Sequence, residues 1–331
     1  MTFKVIEDMV LRSHLDTIGR DGIDSYLLAR GRFRLAVLHG TWMVNQMRAN
    51  HDLGILESLI LGHAYMAAGL LATGLSGSDR MSLHVACDGP VGGLHVECSA
   101  QGEIRGYLNN TRIPIEEPLS TFDTAPFVGS GRLTVTRLTA GAESPFTGHI
   151  ELHHGNLAQD ITRYYALSEQ IPTAMALSVK FDREGLVSGA GGLLIQSLPA
   201  SRHYLVLDDE VSVLSEGEED GLEPEEFERA VERLEEIVHR LPSLGELFAD
   251  GATQSKIVRS HFAELDPVYM GTRAVEFSCG CNRDRFQRFL SALPSSELDD
   301  IKENGPFPLR LNCFNCNSEY AFTRDEIGAL G

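Results

Sequence analysis

The sequence predicts an α+β protein with three parts: an N-terminal domain built on a largely antiparallel sheet, a helical linker, and a small C-terminal four-cysteine zinc domain. Strand patterns of period two dominate residues 81–197, with few helices between them. After Pro199 the composition becomes acidic and helical, and four of the six cysteines follow residue 278. We therefore expect an N-terminal α+β core at residues 1–205, a metastable linker at 206–270 and the cysteine domain at 271–331.

The N-terminal part begins with a predicted strand at residues 32–38. A helix should follow at 42–50, with Thr41 as its N-cap. The apolar residues 55–75 predict a buried helix, because glycines and His63 interrupt them too often for a membrane span. His63 is predicted to be a hydrogen-bonded histidine of the core.

Alternation of polar and apolar residues then predicts a series of strands. They cover residues 82–87, 93–98, 103–108, 131–138, 148–152, 174–181 and 191–197, with a helix at 156–170. The first two should form a hairpin that contains Cys87 and Cys98. These two cysteines are either a redox pair across the hairpin or two small core residues, and their apolar neighbours favour the core.

The predicted linker is strongly acidic between residues 208 and 236. Residues 215–221 are predicted to form a solvated loop, and Pro224 suits the first turn of the helix predicted to follow. One face of this helix is apolar at spacings of three and four. That stripe consists of Phe227, Ala230, Val231, Leu234, Ile237, Val238 and Leu241. Its charged face repels itself, so we expect marginal docking, and a second short helix should span 255–262.

Composition excludes several classes of protein. The 331 residues carry a formal net charge of −19, which argues against nucleic-acid binding. No apolar run reaches the roughly 20 residues of a membrane span, and the first residues lack a signal-peptide core. We expect a cytoplasmic protein that binds neither nucleic acid nor membranes. In that reducing compartment, clustered cysteines more often bind metal than form disulfides.

Familiar catalytic motifs are missing, so we expect no enzyme. Residues 189–192 resemble part of a dinucleotide-binding loop but precede a strand, not a helix. No P-loop lysine follows a glycine cluster. The adjacent His153 and His154 would point to opposite faces of a strand and are poor joint ligands.

The tail carries the strongest motif. Cys279-Gly280-Cys281 is followed, after 31 residues, by Cys313-Phe314-Asn315-Cys316. This spacing is typical of a closed site that holds one Zn²⁺ with four thiolates. Four unrelated thiols or two structural disulfides are the alternatives. Each close pair can also form a small ring by oxidation, which would remove two zinc ligands at once.

Several stretches together resemble the redox-regulated 33-kDa heat-shock chaperones. Besides the two cysteine motifs, these stretches are Tyr-Ala-Leu-Ser-Glu-Gln-Ile-Pro-Thr at 165–173, Ala-Gly-Gly-Leu-Leu-Ile-Gln-Ser-Leu-Pro at 190–199 and Cys-Asp-Gly-Pro at 87–90. The resemblance covers most of the chain from about residue 30 onward. The acidic loop at 216–220 and the first twenty residues differ from the family pattern.

The resemblance implies an ATP-independent holdase that is inactive while reduced and zinc-bound. Oxidation would then pair Cys279 with Cys281 and Cys313 with Cys316, release zinc and unfold the linker. The active form would bind unfolding proteins, commonly as a homodimer. Candidate client or linker-docking residues are Phe227, Val231, Leu234, Val238 and Leu241.

Two other functions remain open on the residues alone. The tail could be a constitutive zinc ribbon that docks a partner, in which case oxidation would abolish binding. A thiol oxidoreductase using Cys313 and Cys316 is a weaker option, because the helix-start context of a reactive CxxC is lacking.

Overall fold

Two antiparallel sheets and one buried helix form the centre of the α+β fold. The computed structural model describes residues 3–115, 121–199, 203–207, 210–214 and 223–330. The acidic loop predicted at 215–221 lies outside these residues, as does Pro118 of a predicted loop.

The first sheet has five strands in the order β12-β1-β2-β9-β8, all antiparallel to their neighbours. Its strands are β1 Gly22–Leu28, β2 Phe33–His39, β8 Thr173–Phe181, β9 Val187–Ser197 and β12 Val268–Ala274. The sequence predicted three of them, β2, β8 and β9, from their alternation. β12 spans the predicted boundary between linker and tail and pairs with β1, so a strand near the start of the chain lies beside one that follows the linker helices.

The second sheet has six strands in the order β13-β5-β4-β3-β6-β7. These are β3 Arg80–Cys87, β4 Leu94–Ser99, β5 Glu103–Leu108, β6 Gly131–Leu138, β7 Phe146–Glu151 and β13 Glu276–Phe277. The short β13 runs parallel to β5, and the other pairs are antiparallel. Two small hairpins complete the described strands, β10 His203–Leu207 with β11 Glu210–Leu214 and β14 Leu309–Asn312 with β15 Glu319–Phe322.

Eleven α-helices lie in the described residues. They are α1 Met9–Thr17, α2 Thr41–His51, α3 Ile55–Ala72, α4 Ala125–Val128, α5 Leu157–Tyr164, α6 Pro224–Arg240, α7 Leu244–Ala249, α8 Gln254–His261, α9 Arg283–Ser291, α10 Ser295–Asn304 and α11 Arg324–Gly328. A π turn at Tyr165–Glu169 extends α5, and a 3-10 turn at Ala263–Leu265 follows α8.

Helix α3 separates the two sheets. It packs against β4 and β5 on one side and against β8 and β9 on the other. A Cβ atom at Gly69 would lie 2.8 Å from Leu38 and 3.1 Å from Ile104, so glycine permits this close approach. α3 has the length and composition of a membrane span, but 89% of it is buried inside the protein. Its apolar composition is therefore accounted for by its place in the core.

A third layer covers the opposite face of the five-stranded sheet. Ala230, Leu234 and Ile237 of α6 are buried in a cluster with Leu35, Val37 and other sheet residues. The short α7, which the sequence did not reveal, packs on β9. A Cβ at Gly191 would lie 2.2 Å from the Phe248 ring, and one at Gly189 would lie 2.0 Å from the Gly245 carbonyl. The glycine cluster at 189–192 thus makes room for α7.

The structure corrects two residue-level expectations. Thr41 is the first residue of α2 and Gly40 is its N-cap; the Thr41 hydroxyl instead accepts a hydrogen bond from the Ala190 amide at 2.9 Å. His63 is half-buried on α3, but its Nε2 atom is buried and has no hydrogen-bond partner among the described residues, contrary to the prediction. A helix's own carbonyls are already used by its backbone, so a histidine facing apolar residues lacks local acceptors.

The strand register settles the arrangement of the two N-terminal cysteines. Cys98 on β4 lies opposite Met81, whereas Cys87 on β3 lies opposite Gly131 of β6. Both are free thiols, and Cys98 is buried. The two residues are therefore not a cross-strand pair. Cys98 lies in the core and the half-buried Cys87 packs against it, which agrees with the preferred interpretation of two small core residues.

Candidate metal centre

The fold brings the four tail cysteines together. Cys279 and Cys281 follow β13, while Cys313 and Cys316 lie in the turn between β14 and β15. All four Sγ atoms lie within 4.8 Å of one another. Three of the residues are buried and Cys313 is half-buried. We call these residues the cysteine cluster.

Local hydrogen bonds shape the turn at 313–318 into a knuckle. The Cys316 and Asn317 amides donate to the Cys313 carbonyl at 3.3 and 2.7 Å, and the Cys313 amide donates to the Ser318 carbonyl at 2.9 Å. Asn317 has a φ of +52°, which asparagine tolerates better than most residues. The β14–β15 hairpin fixes the ends of this turn, so its two sulfurs point to one place.

The sulfur positions fit a tetrahedral metal ion. A regular tetrahedron with Zn–S distances of about 2.3 Å has sulfurs about 3.8 Å apart. The Sγ atoms of Cys279 and Cys313 are separated by 3.8 Å, and those of Cys281 and Cys316 by 3.3 Å. A cluster of four thiols with these spacings could hold a metal ion. Both of these contacts run between the two motifs, as expected when both motifs surround one centre.

The pKa values of the cysteines in the cluster are shifted in opposite directions. Hydrogen bonds with Cys313 and Cys316 lower the pKa of Cys279, so this sulfur most readily becomes a thiolate. The hydrogen bond with Cys279 raises the pKa of Cys313, because its ionisation would place a second negative sulfur nearby. Complete ionisation of the cluster therefore requires a cation among the sulfurs.

Two polar residues of the tail support the sulfurs. The Tyr320 hydroxyl lies 3.1 Å from Cys281 Sγ and donates to the Cys281 carbonyl at 3.1 Å. Burial raises the pKa of Tyr320, and its contact with Cys281 raises it further. The Ser318 hydroxyl lies 3.3 Å from Cys316 Sγ. These groups orient the sulfurs, as residues that hydrogen-bond to metal ligands do in metal sites.

A basic side chain of the N-terminal domain also reaches the cluster. Arg105 on β5 places Nη1 3.8 Å from Cys279 Sγ. Its Nε and Nη2 donate to Glu97 Oε2 at 2.8 and 2.5 Å. His95 lies 3.1 Å from the other Glu97 oxygen. The hydrogen bonds with His95 and then Arg105 lower the pKa of Glu97 to about 2, against the effect of burial, so this carboxylate is ionised at neutral pH.

Neutral contacts attach the knuckle to the N-terminal domain. The Asn50 side chain donates to the Cys316 carbonyl at 3.0 Å, and the Asn317 side chain donates back to the Asn50 carbonyl at 3.0 Å. The Gly106 amide donates to the Asn315 carbonyl at 3.3 Å. The cysteines accordingly belong to the same core cluster as α3 and β5.

Sequence reasoning located the cysteine cluster but missed Arg105, Asn50 and Tyr320. Tyr320 follows the second motif closely and could have been proposed as a neighbour. Arg105 and Asn50 precede Cys279 and Cys316 by 174 and 266 residues, respectively. No local pattern signals such a contact.

The candidate docking residues on α6 lie elsewhere. Phe227, Val231, Leu234, Val238 and Leu241, which we call the linker stripe, face the five-stranded sheet. Leu234 is buried and the other four are half-buried. An open apolar groove of about 560 Å³ runs between α6 and the strands β8 and β9. Helix α6 and the cysteine cluster thus lie in different core clusters.

Sequence comparison identifies close relatives over nearly the whole chain. The profile of the family described as Hsp33 protein matches residues 21–323. A 33 kDa chaperonin of Limosilactobacillus fermentum is 32% identical over 305 residues, which cover 91% of this chain and 94% of that protein. A 33 kDa chaperonin of Desulforamulus reducens is 30% identical over 299 residues, covering 90% and 92% of the two chains.

Structural comparison gives the same relationship. The crystal structure of the 33 kDa chaperonin (heat shock protein 33 homolog) of Thermotoga maritima matches with a TM-score of 0.78 and 27% sequence identity. The match covers 94% of this chain and 98% of that one.

Proposed function

Because this chain belongs to the Hsp33 family of chaperones, we propose that it is an ATP-independent holdase that oxidation activates. The observation that carries the proposal is the cluster of four thiols within 4.8 Å, assembled from two close pairs beside the N-terminal core. Thiols so placed can serve as metal ligands when reduced and can form disulfides when oxidised.

In the reduced form, Cys279, Cys281, Cys313 and Cys316 would hold one Zn²⁺ per chain. Zinc would hold the sulfurs as thiolates and fix the tail. The tail has little core of its own, since only Leu290, Leu298, Phe322, Ile327 and Leu330 form its buried cluster. A unit of this size rarely folds without a disulfide or a bound metal, so the metal would keep the tail folded.

Oxidation would reverse this state. We propose that Cys279 pairs with Cys281 and Cys313 with Cys316. Each thiolate pair would lose two electrons to one hydrogen peroxide, which would take up two protons from water and be reduced to two water molecules. Because a disulfide sulfur is a poor ligand, the site would lose its four ligands and could no longer hold zinc, and the tail would unfold.

The linker would respond to unfolding of the tail. We propose the functional division 1–205, 206–270 and 271–331, with the linker stripe as a surface that binds clients once it leaves the sheet. The linker reaches the tail through β12 and β13, each of which adds an edge strand to a core sheet. Unfolding of the tail would remove support from both strands.

The proposed partners follow from this mechanism. They are unfolded or partly unfolded proteins and, after oxidation, a second copy of the chain. We further propose a cytoplasmic location, no enzymatic activity, and no binding to nucleic acid or membranes. The formal net charge of −19 supports the exclusion of nucleic acid.

Zinc content and client aggregation measured together test the proposal. Peroxide with mild heating should release one Zn²⁺ per chain and suppress light scattering by a chemically unfolded client. Reduction with added zinc should restore the inactive form. Peptide mapping of the oxidised chain should recover the two disulfides within the motifs.

Cys98→Ser provides a matched control, because Cys98 is a buried thiol of β4 outside the cluster. This variant should keep both zinc release and the gain of activity. Complete zinc release with unchanged scattering would contradict the holdase. A partner bound only by the reduced form would favour the constitutive zinc ribbon.

A further inference from the structure

The Arg105 guanidinium lies between the N-terminal sheet and the cysteine cluster. Its Nη1 contacts Cys279 Sγ, while its Nε and Nη2 hold Glu97. The side chain is only 18% exposed. A positive charge is therefore fixed against one sulfur by an element that does not belong to the tail.

The position of Arg105 is determined by the sheet. Glu97 and Arg105 are directly paired across β4 and β5. His95 lies two residues from Glu97 on the same face and contacts its second oxygen. Because Nε and Nη2 of the guanidinium both donate to Glu97, Nη1 remains directed at Cys279. Loss of structure in the tail would leave this orientation intact.

The strength of the sulfur contact depends on the chemical state of Cys279. Four thiolates around a divalent cation carry a net charge of about −2, and a guanidinium donor stabilises that charge. A disulfide sulfur is neutral and accepts hydrogen bonds weakly. The neighbouring contacts of Asn50 and Gly106 are made to backbone carbonyls and lack this dependence on charge.

We propose that Arg105 is a positioning residue that holds the metal-bound Cys279 thiolate against β5 and thereby slows loss of the metal. This inference rests on the zinc-bound reduced form of the proposed function. Arg105 then couples the redox state of the tail to its attachment: the contact stabilises the metal-bound thiolate and weakens when the sulfur enters a disulfide.

Zinc transfer from the reduced full-length chain to a chromophoric chelator tests this role without oxidant or client. In Arg105→Met, transfer should be about 10- to 100-fold faster, the range found when a residue that hydrogen-bonds to a metal ligand is lost. Arg105→Lys retains the charge and should lie nearer to the parent. Arg132→Met is the matched control, because Arg132 pairs with Glu151 on the same sheet; its transfer rate should stay within about twofold of the parent.

Loss of Arg105 also leaves Glu97 without its guanidinium, which could destabilise the sheet. The double variant Arg105→Met/Glu97→Gln removes that unpaired charge, and fast zinc transfer should persist in it. A second readout is the sulfur-to-metal charge-transfer band of the Co²⁺-loaded protein. It should shift in both variants, because the hydrogen bond to the Cys279 sulfur is lost, and remain unchanged in Arg132→Met.

Three results would overturn the inference: transfer from Arg105→Met within about twofold of the parent, a return to the parent rate in the double variant, or an unshifted Co²⁺ band. If any of these results were found and the chain still became a holdase on oxidation, the inference about Arg105 would fail and the proposed function would stand. Conversely, a chain with the expected zinc and Co²⁺ results that never suppressed aggregation would contradict only the proposed function.

Discussion

Three histidines show how burial sets the properties of single residues in this protein. Burial lowers the pKa of His39, His51 and His63 to about 4 in each case. Each is therefore neutral in the folded chain at pH 5 but protonated when unfolded. Asp21 opposes them, since burial raises its pKa to about 7 despite hydrogen bonds from Met43 and Trp42. The histidines outnumber it, so acid should destabilise the fold.

The variant His63→Met isolates the contribution of one buried imidazole to the pH dependence of the free energy of unfolding. The folded pKa of His63 lies below its unfolded value, so its contribution is complete above about pH 6.5 and is lost as the pH falls toward 4. Between pH 7 and 5 the parent should lose about 2 kcal/mol through this residue, and the variant should not. Methionine has a similar volume, and Nε2 has no hydrogen bond to lose among the described residues.

Urea unfolding of the reduced, zinc-loaded chain at several pH values measures this difference. His154→Met, at an exposed position, is the control. An unchanged pH dependence in His63→Met would show that His63 is not buried as a neutral group.

At the scale of elements, helix α6 is held by its apolar face and by few polar contacts. Phe227 stacks on Phe33 with ring centroids 5.4 Å apart, and Leu234 is buried beneath the helix. Arg233 pairs with Glu236 at 2.7 Å and with Glu264 at 2.6 Å, but such exposed pairs contribute about 1 kcal/mol or less. Docking of the helix therefore depends mainly on the linker stripe.

Leu234→Ala should weaken this docking by about 2–4 kcal/mol, since it removes a buried side chain from the interface. We expect the reduced, zinc-loaded variant to be cleaved faster by proteases within 223–265 and to bind more of a hydrophobic dye. It should also need less oxidant for activation. Glu232→Ala, an exposed position on the same helix, is the control. Equal cleavage of the two variants would mean that the stripe does not hold the helix.

At the scale of the whole molecule, stability is distributed unevenly. The sheets share one extensive core around α3, whereas the tail has only its small cluster of five buried residues. The cysteine cluster lies at the boundary and packs with the large core. Metal loss should thus affect one end of the molecule first.

Chelation of zinc under reducing conditions should therefore unfold residues 282–330 while the two sheets persist. Hydrogen exchange followed by mass spectrometry should show lost protection in α9, α10 and α11, then in β12 and β13. Protection in β2, β3 and β9 should remain, and re-addition of zinc should reverse the change. Full protection of the tail after complete chelation would contradict its dependence on metal.

Some parts of the fold were predictable because their signals are local. Alternation predicted β3 to β8 within two residues of their ends and β9 without its first four residues, and the apolar stripe with Pro224 predicted α6. Helix α7 was missed because its six residues are too few to show a clear period. β12 and β13 were missed because these strands are short and pair with partners distant in sequence, and such pairing produces no recognisable local pattern.

The candidate site likewise has a part that the sequence predicted and a part that only the fold revealed. The spacing of Cys279, Cys281, Cys313 and Cys316 identified the sulfurs, because ligands of one metal ion must come from compact turns. It did not reveal that the cluster packs on β5, or that Arg105 and Asn50 reach it. Hydrogen bonds across such separations exist only once the sheets have formed.

By itself the sequence determined the α+β class, the paired cysteines, the amphipathic linker helix and the resemblance to a chaperone family. These features depend on periodicity and on ligand spacing, which are properties of neighbouring residues. The tertiary structure alone decided that the segment between the linker helices and the cysteine cluster adds an edge strand to each core sheet, and that the cysteine cluster contacts an arginine of β5. Such contacts depend on which distant surfaces meet in three dimensions, and only the packed chain specifies them.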